Sequence, residues 1–227
     1  MKVGIICASD EELAPFLPAL KNDTIREKAK LRFHEGKIGS TEVVALFSGV
    51  CKVNAAIATQ ILVDCFGVTA VINAGTAGAI DPKLHIFDTV VATESCYHDV
   101  AEDILTEFHP WMKSVFFESA SDLLMQAKTA VKRLGLQRVF FGRMVTGEAF
   151  ITDEGRENII EKYAPLSVDM ETASIAHVCY ANDIPFLSIR CITDTAEHSG
   201  IEQFDEACAK ASEIAAGLTL EIIQRLI

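Results

Sequence analysis

The chain has 227 residues, 50% of them hydrophobic, with 20 Lys and Arg against 32 Asp and Glu and a net charge of -12. That length and apolar content suffice for a substantial core, and the acidic balance argues against a phosphate backbone, and so nucleic acid, as a partner. Seven scattered cysteines without a CxxC pair fit a reduced, cytoplasmic setting. The longest uncharged stretch, residues 65–80, is broken by three glycines and falls short of the roughly 18 apolar residues a membrane span needs. The first apolar run, 3–8, is too short and too acidic at its end for a signal peptide.

Val- and Ile-rich runs alternate with stretches of helical spacing, the pattern of βαβ units around a mainly parallel sheet. The runs predict strands at 2–8, 31–37, 41–47, 69–73, 87–93, 138–145, 166–170 and 185–192. Apolar residues recurring at three and four positions predict helices at 52–65, 119–134, 154–163, 171–182 and 202–225. Residues 97–117, with His109, Pro110 and Trp111 in a row, read as a long loop or short irregular helix, and loops of that length are often functional. No linker or repeat interrupts the chain, so it reads as one domain, 1–227.

Three strands run straight into acids: the first toward Glu12, that at 166–170 into Glu171, and that at 185–192 into Asp194. In an open parallel sheet the carboxyl ends of the strands share one edge, so these carboxylates are expected to converge on one crevice. Each also has a structural reading. Ser9 and Glu12 have capping-box spacing, although Pro15 and Pro18 weaken a long helix there, and for Glu12 the two readings stand even. Glu171 suits the first turn of a helix as well as a sugar. Asp194 and Glu197 share the capping spacing too, but His198, Ser199 and Gly200 follow at once and oppose a helix start at Asp194. The glycines of the run Asn73, Ala74, Gly75, Thr76, Ala77, Gly78 suit close approach to a ligand or a tight turn equally. Phe150 and Ile151 suit either a flat apolar ring or ordinary core packing. No His spacing fits zinc, so no metal or cofactor is expected.

Taken together, the opening strand with Glu11 and Glu12, the Ser48-Gly49 turn, the Asn73 to Gly78 run, Tyr97-His98-Asp99, the segment from Thr146 through Ile151, Val168 to Glu171 and Arg190 to Asp194 resemble, in order, the 5'-methylthioadenosine/S-adenosylhomocysteine nucleosidases of the purine nucleoside phosphorylase family. The resemblance implies a three-layer α/β/α sandwich around a mixed, partly closed central sheet, and hydrolysis of the adenine–ribose bond of a small-molecule nucleoside. It implies Asp194 as the acid at the purine N7, Glu12 as the residue activating water, and Glu171 with Met170 at the ribose. Phe150 is implied as the base-stacking ring, Ile151 as a backbone contact to adenine, and Val50, Thr76, Gly78 and Arg190 as the remaining substrate contacts. It also implies a homodimer. The chemistry agrees: adenine leaves poorly as an anion, so an acid must protonate it, while a second carboxylate holds water on the far face of an oxocarbenium-like sugar.

The chain departs from the family pattern in three places. Cys51 stands where glycine is usual, Thr76 where serine is usual, and residues 100–117 lack the usual Asp-x-Thr-x-Phe-Gly-Tyr run beside the 5'-substituent. Alternatives are a phosphorylase on the same fold, a nucleosidase for another 5'-modified purine nucleoside of futalosine type, and a silent nucleoside sensor. A phosphate site would want arginines at the strand exits, and of eight only Arg143 and Arg190 lie there.

Overall fold

The computed structural model describes residues 1–109, 111–151, 155–196 and 201–226. The expected helix start at Glu154, the Pro110 of the 97–117 segment and the reading of Glu197 to Gly200 lie outside them. The strands are β1 (Lys2–Cys7), β2 (Lys21–Lys28), β3 (Leu31–Ile38), β4 (Thr41–Phe47), β5 (Ala70–Ala79), β6 (Thr89–Tyr97), β7 (Phe117–Glu118), β8 (Val139–Thr146), β9 (Ser167–Asp169) and β10 (Phe186–Asp194). The helices are α1 (Asp10–Leu13), α2 (Lys52–Phe66), α3 (Glu102–Glu107), α4 (Ser121–Leu134), α5 (Arg156–Tyr163), α6 (Thr172–Ala181) and α7 (Ile201–Ile223), with a 3-10 stretch at Ala14–Ala19 that accommodates Pro15 and Pro18.

All ten strands form one mixed sheet in the order β10-β6-β8-β9-β5-β1-β4-β3-β2, with β7 on the edge of β6. β10 also pairs with β5, which closes β10, β6, β8, β9 and β5 into a ring. Helices cover both faces. Leu123, Ala127 and Ala130 of α4 and Leu218, Ile222 and Ile223 of α7 pack on Val3, Ile5 and Val43, while Ala55, Ala58 and Leu62 of α2 and Ala173, Ile175 and Ala176 of α6 pack on Ile6, Val44 and Val71. Because β1 is buried on both faces, it reads as a continuous apolar run rather than an alternating one. No described helix is long and apolar enough to cross a membrane.

Several expectations are corrected. β2 was not expected at all. All eight of its residues are exposed, so it carries no apolar signal, and it is held by backbone pairing with β3. β5 continues past residue 73 to Ala79 because its glycines and alanines pass beneath acidic side chains rather than turning. β6 likewise runs on to Tyr97. β9 is parallel to β8 but antiparallel to β5, so Glu171 does not reach the shared edge by parallel alignment with its neighbour. It gets there because the short strand runs back along β5, Gly78 facing Val168. Within 97–117 the chain forms α3 and β7, and Leu105, Met112 and Phe117 fold onto the chain's own core, leaving Ile104, Phe108 and Trp111 exposed.

Candidate active site

β1, β5, β9 and β10 end around one cavity of about 290 Å³. All ten expected site residues line it: Asp194, Glu12, Glu171, Met170, Phe150, Ile151, Thr76, Val50, Gly78 and Arg190. Sequence reasoning missed Asp169, Thr193, Phe204 and Asp205, which line it too. Asp169 carried a signal, an acid two positions before Glu171 inside a buried strand. Phe204 and Asp205 sit in the amphipathic run of α7 and carried none.

Glu12 sits at the end of α1, whose N-cap Ser9 accepts the Glu12 backbone N–H at 3.3 Å. The capping box is therefore half made. Instead of returning to the cap, the carboxylate turns inward: Oε2 accepts from Ala8 N–H (2.6 Å), and Oε1 from Thr76 N–H (2.7 Å) and the Thr76 hydroxyl (2.8 Å). A carboxylate has about four acceptor positions, so three donors leave one for a further partner. The fit needs Gly75, since a Cβ there would stand 2.4 Å from the Glu12 carboxyl carbon.

Glu171 Oε1 accepts from Cys51 N–H (2.9 Å) and Oε2 from Arg190 Nη2 (3.2 Å). Burial pushes its carboxyl up, Arg190 pulls the other way, and Asp169 and Glu12 add to the rise. Arg190, on β10 and 1% exposed, is shared among acids: Nη2 lies 3.0 Å from Asp169 Oδ2, Nη1 lies 3.7 Å from Glu12 Oε1 and donates to the Thr76 carbonyl at 3.1 Å. Asp169 is the hub beneath, accepting from Thr146, from Thr172 and from the amides of Glu171 and Thr172. Thr172 in turn meets Asn73 (2.8 Å) and Ser188 (3.0 Å), and Asn73 Nδ2 donates to the Ile6 carbonyl (2.9 Å), tying β9 to β5, β10 and β1.

Asp194 closes β10. Its Oδ1 accepts from the Thr193 hydroxyl (2.9 Å), and a Cβ on Gly78 would come within 2.9 Å of Oδ2, so this glycine too serves close approach. Burial pushes the Asp194 carboxyl above the usual aspartate range, opposed by the Thr193 hydrogen bond and by the charge of Arg156. Phe150 is 40% exposed at the rim, so it is not a core residue, and Ile151 is half-buried against Ile80 and Val145. Val50 stands at the rim as well. Arg143, the other arginine near a strand exit, faces away and is held by Glu94 and the Tyr163 carbonyl.

A family model described as the phosphorylase superfamily matches residues 2–224. The 5'-methylthioadenosine/S-adenosylhomocysteine nucleosidase of Halalkalibacterium halodurans is 36% identical over 229 residues, covering 99% of each chain. The enzyme of the same name from S. pneumoniae, solved with the transition-state inhibitor MT-ImmA, superposes with a TM-score of 0.91 at 33% identity over 100% of both chains. The native futalosine hydrolase of Helicobacter pylori superposes equally, at a TM-score of 0.91, with 26% identity over 100% of this chain and 98% of that one.

Proposed function

The chain belongs to the 5'-methylthioadenosine/S-adenosylhomocysteine nucleosidases of the phosphorylase superfamily and is an N-glycosyl hydrolase, and on that premise we propose that it splits adenine from both nucleosides with Asp194 as general acid and Glu12 as the base for water. Protonated Asp194 donates to adenine N7 as the electrons of the C1'–N9 bond move onto the base. Water adds to C1' and gives its proton to Glu12. The products are adenine and the 5-thioribose sugar, and solvent restores both carboxyl groups.

Each role has support in the geometry. Burial raises the Asp194 carboxyl, the direction that favours its protonated, donating form. The one acceptor position left on Glu12 suits a water molecule. Glu171, bound by only two protein donors, has two positions left for the 2'- and 3'-hydroxyls, with Met170 beside the sugar. Phe150 offers a face to the base, Ile151 a backbone contact, and Val50, Thr76 and Gly78 the walls.

The observation that carries hydrolysis over phosphorolysis is the fate of Arg190. Among the described residues lining the cavity it is the one basic side chain, set against Glu12, Asp169, Glu171, Asp194 and Asp205, and it is already shared by three of them. An entering phosphate would meet net negative charge and no unengaged guanidinium fork. Adenine release from methylthioadenosine is therefore expected to proceed at the same rate with and without inorganic phosphate, and to yield the free sugar. A phosphate-dependent rate with a sugar 1-phosphate product would overturn this reading.

The assembly we propose is a homodimer. Val53 and Phe108 are each 68% exposed and Trp111 is 58% exposed, with Ile57 and Ile104 also open to solvent, and Val50, exposed as well, lines the cavity. Large apolar side chains left this open are candidates for cover by a second copy of the chain. Light scattering at micromolar concentration should give twice the chain mass, and Phe108→Ala should impair methylthioadenosine more than adenosine. A fully active monomer would overturn the dimer.

A further inference from the structure

Glu148 has no part in the chemistry above, yet it ties the Phe150 loop to the element that holds Glu171. It stands two residues before Phe150, just beyond β8. Its Oε1 accepts from Lys52 N–H (2.9 Å), and its own N–H donates to Asp99 Oδ2 (2.9 Å). Lys52 Nζ completes the triangle, 2.9 Å from both oxygens of Asp99. One residue earlier, Cys51 N–H donates to Glu171 Oε1 at 2.9 Å. Two successive amides at the start of α2 thus face two carboxylates, one beside the base-stacking ring and one at the sugar.

The backbone is distorted to achieve this. Cys51 has φ 83 and ψ 162, a region nearly reserved for glycine, and a side-chain-bearing residue stays there only where its surroundings over-determine it. Those surroundings are Glu171 on one amide, Glu148 on the next, and the Ser174 hydroxyl donating to the Lys52 carbonyl at 2.6 Å. The loop is pinned at its base too, where Gly147 N–H donates to the Asp169 carbonyl (3.1 Å).

We propose that Glu148 is a positioning residue that couples the base-stacking loop to the sugar carboxylate through the Lys52 and Cys51 amides, so that a purine seated on Phe150 fixes Glu171 against the ribose hydroxyls. This rests on the function proposed above. Removing the acceptor leaves the Lys52 amide short of a partner, lets the strained Cys51 backbone relax and turns its amide away from Glu171. The loss then falls on the hydrogen bonds between Glu171 and the ribose, which are charge-assisted and gain importance as the sugar becomes cationic.

The test is a cycle between residue and substrate. Adenine release by the full chain is measured from methylthioadenosine and from its 2'-deoxy analogue, for wild type, Glu148→Ala and Glu148→Asp. Wild type should handle the 2'-deoxy analogue worse, since one hydrogen bond to Glu171 is gone. Glu148→Ala should lower kcat/KM on methylthioadenosine by about 10- to 100-fold, but by less than about threefold on the 2'-deoxy analogue, because the contact through which Glu148 acts is already weakened. Glu148→Asp, which keeps the charge but withdraws the oxygens, should show the same pattern and carries the test if circular dichroism finds the Ala variant unfolded. Equal losses on the two substrates, or none on either, overturn the coupling. A wild type that releases no adenine from methylthioadenosine overturns the parent reading, and the coupling with it.

Discussion

Asp194→Asn yields a folded protein whose adenine release is lower by about 10²- to 10⁴-fold, the range a positioned general acid contributes. The amide keeps the volume of the carboxyl group in a residue only 2% exposed, and its oxygen can still accept from the Thr193 hydroxyl. Its NH₂ can hydrogen-bond to N7, so the nucleoside still binds, but it cannot surrender a proton. The pH profile separates this role from a structural one. Burial raises the Asp194 carboxyl, so the proton is present below that raised value and is lost as pH climbs through it. The alkaline limb of kcat/KM therefore belongs to Asp194 and lies above the ordinary aspartate range, and it should vanish from the residual activity of the Asn variant. Far-UV circular dichroism checks the fold. A near-normal rate, or an unchanged alkaline limb, would remove Asp194 from the acid's place.

How much of this was legible in the sequence depended on whether burial left a periodic signal. β1 and β4 are buried runs with few polar interruptions, and both were readable. α4 and α7 showed their faces through three-and-four spacing and lie within two residues of the expected bounds. β2 had nothing to show, because an exposed edge strand of sequence KNDTIREK is specified by its pairing partner alone. The end of β5 failed for another reason. Gly75 and Gly78 look like turn residues, yet each keeps a strand open to a carboxylate that would otherwise collide with it. That reason lies in residues 12 and 194, far along the chain.

Of the three acids at the ends of apolar runs, Glu12 and Asp194 reach the cavity from strands parallel to β5, as expected, whereas Glu171 reaches it from a strand that runs the other way. The arrangement behind them was not legible. Arg190 could be listed as a contact, but nothing local to it says that its guanidinium is divided among Asp169, Glu171 and Glu12 rather than open to a ligand. Equally, the substitution of cysteine for glycine at 51 reads as a small change, whereas φ 83 makes it a strained one. Both facts emerge only in the folded chain, where β9 runs back along β5 and brings Asp169 and Glu171 to Arg190 and Glu171 to the Cys51 amide.

Glu12→Gln is expected to lower turnover about as far as Asp194→Asn while an unreactive methylthioadenosine analogue still binds, since the variant loses the group that takes a proton from water but not the contacts to base and sugar. It should also lose stability, which Asp194→Asn should not. Both Glu12 oxygens are acceptors, Oε2 toward Ala8 N–H and Oε1 toward Thr76 N–H and its hydroxyl. An amide offers one oxygen, so either orientation sets its NH₂ against a backbone donor. Leaving one buried donor unmatched costs about 1–3 kcal/mol, which for a chain of this size corresponds to a fall in Tm of roughly 2–12 °C. The neighbouring Arg190 loses part of its countercharge at the same time. Thermal melts, analogue titration and single-turnover rates on one preparation read the three consequences together. Normal turnover would show that Glu12 does not activate water, and a folded variant with no affinity for the analogue would make it a binding residue instead.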